Sequence, residues 1–169
     1  PGTDRCANSL FPKLAAKQRS RPVQLLSVGA VIPRKCFHIL MEALQPLKSL
    51  SWTLTIAGDV TRDAHAFAHL QEVIRRCSLE ERVHVLGSVS ALELQNLYAT
   101  SDVFVLASFY EGYGMVFAEA MANGLPIVAT TGGAIPDTVP AQAGVLVTPG
   151  HVVALSDAIR SLVENDEYR

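Results

Sequence analysis

No apolar run in this chain approaches the roughly 18 residues that a bilayer-spanning helix requires, so the sequence holds no such helix. The N-terminus has no charged-then-apolar pattern of a secretory signal. Cysteine is sparse: Cys6, Cys36 and Cys77 are widely spaced and form no CxxC pair, which points to free thiols in a reducing, cytoplasmic compartment. Metal-ligand spacing is absent as well. His38, His65, His69, His84 and His151 are scattered, and His65 with His69 share one helix face but have no third ligand nearby, which reads as an exposed helix face and not a metal site. The formal net charge of −2 argues against a broad basic surface for nucleic acid. No low-complexity tract and no fixed-period repeat appears. The chain also opens without a methionine, on Pro1-Gly2-Thr3-Asp4, and is expected to be a domain of a longer protein. That protein could still lie against a membrane surface through its other part.

The chain is otherwise rich in core-forming residues. It has 169 residues, 49% of them hydrophobic and 18% charged, enough for one globular domain with a sizeable core. Residues 1–22 show no clear period and read as an N-terminal segment or inter-domain linker, with a short helix or linker over Asn8–Ala16. From residue 23 to 169, strands alternate with helices. Strands are expected at Val23–Val28, Trp52–Ala57, Val83–Leu86, Val103–Leu106, Ile127–Thr130 and Val145–Val147. Helices are expected at Cys36–Leu47 with Pro46 near its end, Asp63–Cys77, Leu92–Ala99 behind a Ser90/Glu93 capping box, Val116–Asn123 and Val152–Glu164. On the last helix Val153, Ala154, Ala158, Ile159 and Leu162 are expected to face inward. This alternation predicts an α/β sandwich, Rossmann-like, with a mainly parallel sheet of about six strands covered by helices on both faces. Gly29, Gly58, Gly87, Gly112 with Gly114, and Gly132 with Gly133 each follow a strand. They share the sheet edge where ligands bind, although tight strand-to-helix turns alone would also explain each one.

The stretch Ser108–Gly124, SFYEGYGMVFAEAMANG, organises this edge. A strand runs into a turn through Gly112 and Gly114 and opens a helix that ends at Gly124, just ahead of Pro126. Backbone N–H groups near Gly114, Met115 and Val116 would face an anion at the positive end of the helix dipole. Glu111 precedes the turn and Glu119 lies on the helix, so phosphate donors and hydroxyl acceptors sit together. Glu119 reads either as a surface residue of an amphipathic helix or, among Ala118, Ala120 and Ala122, as a carboxylate turned into a cleft. Arg34 and Lys35, in the loop after the first strand, fit either a solvated basic pair or the cations for a diphosphate. Asp137 fits either a turn or helix cap or a contact to sugar hydroxyls. Tyr110 and Tyr113 read as loop packing.

The pattern Glu111-Gly112-Tyr113-Gly114 through Glu119 resembles the paired-glutamate motif of retaining nucleotide-sugar glycosyltransferases, enzymes built from two facing Rossmann-like domains. The likeness continues through Ala118–Thr130 and Gly132-Gly133-Ala134-Ile135-Pro136-Asp137, and covers roughly Val23 to Leu162. It implies the C-terminal, donor-binding domain, with the acceptor bound by an N-terminal domain outside this chain. The implied donor is a UDP-, GDP- or ADP-sugar, used without an essential divalent metal or other cofactor. By resemblance Glu119 would accept from ribose hydroxyls, Glu111 would lie near the donor sugar or its leaving phosphate, and Lys35 would meet the diphosphate, with Gly29 and Gly133 in the adjoining loops and Asp137 at the sugar. Two positions depart from the pattern. Ala30 stands where the family has arginine, and Cys36 where it has glycine; Arg34 is expected to restore the charge from a different position. The isolated domain is expected to bind donor with little or no turnover. The alternatives are a sugar-nucleotide epimerase or phosphorylase-like domain, or a non-catalytic binding or assembly module.

Overall fold

The computed structural model describes residues 21–166. The segment read as a linker, and the short helix expected at Asn8–Ala16, lie almost wholly outside the described residues. Six strands, β1 (Val23–Val28), β2 (Trp52–Ala57), β3 (Val83–Gly87), β4 (Val103–Leu106), β5 (Ile127–Thr130) and β6 (Gly144–Val147), form one sheet in the order β3-β2-β1-β4-β5-β6. Every neighbouring pair is parallel. The fold is therefore the Rossmann-like α/β sandwich expected. Strand order reverses between β1 and β4, and loops leaving the carboxyl ends of these strands flank an open crevice there.

Burial follows from position in the sheet. All residues of β4 and β5 are buried. Because successive side chains point to opposite faces, full burial requires cover on both sides. The edge strands β3 and β6 are only partly covered, and Leu86 is half exposed. Helix α1 (Phe37–Leu44) packs against α2 (Ala64–Arg76) and α6 (Val152–Glu164). Helix α3 (Ala91–Thr100) adjoins β1, and α4 (Met115–Ala122) adjoins β5. The ring of Tyr98 stacks on Phe104 at 6.1 Å, and Phe104 meets Phe117 edge-on at 5.6 Å, which ties α3, β4 and α4 into one cluster.

Local chemistry sets the ends of the helices. The capping box at Ser90 and Glu93 is present. Asp63 caps α2 by accepting from the Ala66 amide. After α4, Gly124 takes φ +74° while its amide donates to Met121 O at 2.9 Å and the Leu125 amide to Ala120 O at 3.0 Å, a Schellman ending.

Several expectations need correction. The helix expected over Cys36–Leu47 begins at Phe37 and yields to a 3-10 turn at Gln45–Leu47, because Pro46 cannot donate to the α ladder. Val153 is exposed and Ala154 only partly buried, with Leu155 and Ser156 on the inner face instead. On α3 the buried residue is Tyr98, and Leu92 faces solvent. A short helix α5 (Ile135–Thr138), with Pro136 in its first turn, occupies what reads as loop.

Candidate functional site

The crevice is built by backbone first. The loop after β4 and the loop after β5 lie against each other: Glu111 pairs with Gly133 as a parallel bridge, its amide donating to Gly132 O at 3.3 Å and its carbonyl accepting from the Ala134 amide at 2.8 Å. A side chain at Gly132 would overlap the Phe109 carbonyl, and one at Gly133, where φ is +67°, would overlap Glu111 O and the Tyr110 ring. These two glycines are needed for the loops to meet. The loop after β1 joins them, as Arg34 O accepts from the Phe109 amide at 2.8 Å.

This framework brings Arg34, Lys35 and Glu111 into one cluster. Lys35 and Glu111 are both 6% exposed. Glu111 Oε1 accepts from Lys35 Nζ at 2.7 Å and from Ser108 Oγ at 2.5 Å; Oε2 accepts from Arg34 Nη1 at 3.0 Å. Arg34 also donates to Tyr110 O at 2.8 Å. Burial alone would push the Glu111 carboxyl up, but the bonds from Lys35 and Ser108, the Lys35 charge and the Arg34 bond outweigh it and hold the carboxyl below its ordinary value. Gly29 lies beneath Lys35: a Cβ there would stand 2.9 Å from Lys35 Cε. The residue after the lysine, Cys36, adopts the left-handed φ of +51°, a conformation that glycine takes more readily.

Beside the cluster opens a cleft of about 620 Å³, lined by Gly112, Met115, Glu119, Asp137 and Thr138 among others. Gly114, buried at φ +69°, is the N-cap of α4, and no side chain caps the helix, so the first-turn amides of Met115 and Val116 have no intrahelical partner. Glu119 is exposed and accepts from Tyr98 OH at 2.9 Å through Oε2. Asp137, in the first turn of α5, is exposed at the cleft and is not that helix's cap, a place held by Ala134. Tyr113, read as packing, is instead 80% exposed on the cleft wall, and Tyr110 is also exposed.

Two groups of the expected residues thus emerge. Gly112, Met115, Glu119 and Asp137 line the cleft, with Gly114 and Val116 at the start of the same helix. Arg34, Lys35 and Glu111 form the charged cluster, with Gly29 beneath it and Gly133 in its wall. Sequence reasoning missed Ser108 and Tyr98, which donate to the two glutamates. Ser108 carried a faint signal, since it opens the glycine-bearing turn. Tyr98 carried none, sitting in a helix where Leu94 and Leu97 set the pattern. His69 meets His38 of α1, with ring centroids 5.3 Å apart, and among the described residues no group of three or more ligating side chains is arranged for a metal.

A doubly wound parallel sheet with a helix N-terminus, one buried and one exposed cation and exposed carboxylates at its switch point is an α/β domain whose crevice is chemically suited to an anionic, hydroxyl-bearing ligand. The chain belongs to the glycosyl transferases group 1 family, whose model matches residues 22–165. It is 31% identical over 162 residues to the O-antigen chain mannosyltransferase B of Escherichia coli, covering 94% of this chain and 42% of that protein. It is 32% identical over 158 residues to glycogen synthase of Mycobacterium tuberculosis, covering 92% of this chain and 37% of that one. Among solved structures, Anabaena HepE in complex with UDP and glucose superposes with a TM-score of 0.81 at 28% identity, over 88% of this chain and 40% of that chain. The chain therefore spans about two fifths of the relatives it matches. Among the described residues, no helix is long and apolar enough to cross a membrane.

Proposed function

We propose that this chain is the donor-binding domain of a retaining glycosyltransferase that takes a nucleotide-diphosphate sugar and passes the glycosyl group to an acceptor. The observation that carries this reading is the cleft itself, where the uncapped start of α4 and the exposed Glu119 face one space beside the Lys35–Arg34–Glu111 cluster. A diphosphate leaving group gains charge as the glycosidic bond breaks, and fixed amides and cations aimed at it stabilise the transition state. The amides of Met115 and Val116, with Lys35 and Arg34, supply that. Glu119 accepts from ribose hydroxyls, Asp137 reaches the sugar, and Glu111 lies on the sugar side of the phosphates, where a carboxylate held ionised favours oxocarbenium character. The UDP and glucose in the HepE structure support this class of ligand. The acceptor is held by a part of the enzyme outside this chain, and without that part the cleft neither excludes water nor sets attack geometry, so this chain alone binds donor with little turnover.

Calorimetric and thermal-shift titration with UDP, GDP, ADP and their sugar conjugates tests the reading. One nucleotide should bind, and a ligand at about 100 times its dissociation constant should add roughly 2.7 kcal/mol of stability. Glu119→Ala should cut that shift to roughly 0.9 kcal/mol at the same ligand concentration, the result of about thirtyfold weaker binding; binding of all three nucleotides unaltered by Glu119→Ala would overturn the assignment. Ala30, a methyl group where the family carries arginine, favours a second reading, a non-catalytic binding module. Glycosyl transfer by a longer chain containing the acceptor part would dismiss it.

A further inference from the structure

Glu119 is an exposed glutamate on a helix, and such a side chain ordinarily samples several rotamers, losing up to about 2 kcal/mol of entropy when fixed. Here it meets an unusually rigid donor. Tyr98 is 3% exposed, its ring is clamped on Phe104, and α3 is held in register at its start by the Ser90/Glu93 capping box. The Tyr98 hydroxyl lies 2.9 Å from Glu119 Oε2 and 3.4 Å from the Val116 carbonyl. The main-chain carbonyl alone would satisfy a buried phenol, yet the shorter contact goes to the carboxylate. Burial first, then the Glu119 bond and charge, push the phenol up, so it remains a proton donor throughout the physiological range.

We infer that Tyr98 is a positioning residue for nucleotide recognition: from the core it holds Oε2 of Glu119, fixing the carboxylate on the cleft wall and leaving Oε1 to accept from the ribose hydroxyls of the donor. This rests on the donor-site reading above. It assigns the pentose selectivity of the site to a pair of residues on two different helices, only one of which touches ligand. The contribution is preorganisation: a carboxylate already in its binding rotamer spends less entropy on capture.

Calorimetry with wild type, Tyr98→Phe, Glu119→Ala and the double variant tests it. The probes are UDP, GDP and ADP, and the 2′-deoxy and 3′-deoxy forms of whichever binds. Wild type should prefer the ribonucleotide by about tenfold or more, the scale of one hydrogen bond to a charged group. Tyr98→Phe should weaken the ribonucleotide by about tenfold but the deoxy forms by less than about twofold, so that discrimination collapses. In the Glu119→Ala background, Tyr98→Phe should have no further effect, the non-additivity of residues acting as a unit. If wild type discriminates and Tyr98→Phe keeps the same ratio, the positioning role is wrong while the donor site stands. If wild type binds no nucleotide, or does not distinguish ribose from deoxyribose, the donor-site reading fails and takes this proposal with it. A Tyr98→Phe protein that does not fold would assign the hydroxyl to the core and overturn the proposal as well.

Discussion

Glu111 and Glu119 leave the same turn and helix, yet they stand in opposite surroundings. Glu111 is buried and takes three side-chain donors, two of them cations. Glu119 is exposed and takes one, from a neutral phenol. A buried carboxylate with both oxygens occupied is committed to the fold and is kept ionised by it. An exposed carboxylate with one oxygen free is available to a ligand. The paired-glutamate pattern therefore combines one carboxylate bound into the charged loops with another left open toward the cleft, and spacing along the chain alone does not say which is which.

Stability should separate the two most strongly. Removing one member of a buried ion pair leaves the other charge uncompensated, so Glu111→Ala should cost about 3–5 kcal/mol, read as a lower denaturant midpoint at constant slope. Glu119→Ala removes one bond at an exposed position and should cost less than about 1 kcal/mol. Equal losses would mean that Glu111 is less committed to the fold than its surroundings indicate.

Ligand affinity should reverse that ranking. Glu119→Ala should weaken the bound nucleoside diphosphate about thirtyfold, roughly 2 kcal/mol, with little change in melting temperature. On the donor-site reading Lys35→Ala should weaken it comparably, and it should also destabilise the chain by leaving Glu111 with Arg34 and Ser108 alone as side-chain donors. Asp137→Ala should leave the free nucleoside diphosphate within about twofold and weaken only the sugar conjugate. An undiminished affinity in Lys35→Ala would remove the lysine from the binding site.

Acid titration sharpens the same contrast. The Glu111 carboxyl titrates below its ordinary value of 4.5 in the folded chain, so the unfolded chain binds more protons as pH falls. The stability it contributes is fully present above 4.5 and is lost as pH falls from there through the lower folded value. The stability gap between wild type and Glu111→Gln should therefore be constant near neutrality and narrow on acidification. A gap that widened toward low pH would contradict the direction of the shift.

Much of this architecture was legible from local signals. Continuous apolar runs mark β4 and β5 because both faces are covered, the Ser90/Glu93 box marks the start of α3, and the glycine-bearing turn marks the start of α4. What stayed hidden depends on contacts between distant segments. Gly133 reads as a ligand-loop glycine, but its freedom is used against Glu111 O and the Tyr110 ring. Tyr98 gives no signal along the chain, and its part emerges only when α4 is placed beside it. Val153 reads as an inward residue of α6 and still faces solvent, because the buried face of that helix runs through Leu155, Ser156, Ile159, Leu162 and Val163. The pairing of Lys35 with Glu111 spans 76 residues, a relation no window along the chain contains.

The smallest expected effect concerns how Lys35 is aimed. Cys36 turns the chain out of the 3-10 turn Pro33–Lys35 at φ +51°, with its amide on Pro33 O at 3.1 Å and its side chain buried. A left-handed conformation costs a non-glycine residue about 1–2 kcal/mol. Cys36→Gly should relieve that, while losing the buried thiol and roughly 0.5–1 kcal/mol to greater freedom of the unfolded chain. The terms oppose one another, and the net change should stay below about 1 kcal/mol with nucleotide affinity unchanged. Cys77 supplies the control: it is equally buried, at the ordinary helical φ of −83°, so Cys77→Gly suffers both losses without the relief and should cost about 2 kcal/mol. Equal losses at the two cysteines would mean that the turn behind Lys35 holds no backbone strain, and that the glycine the family carries there serves some purpose other than this conformation.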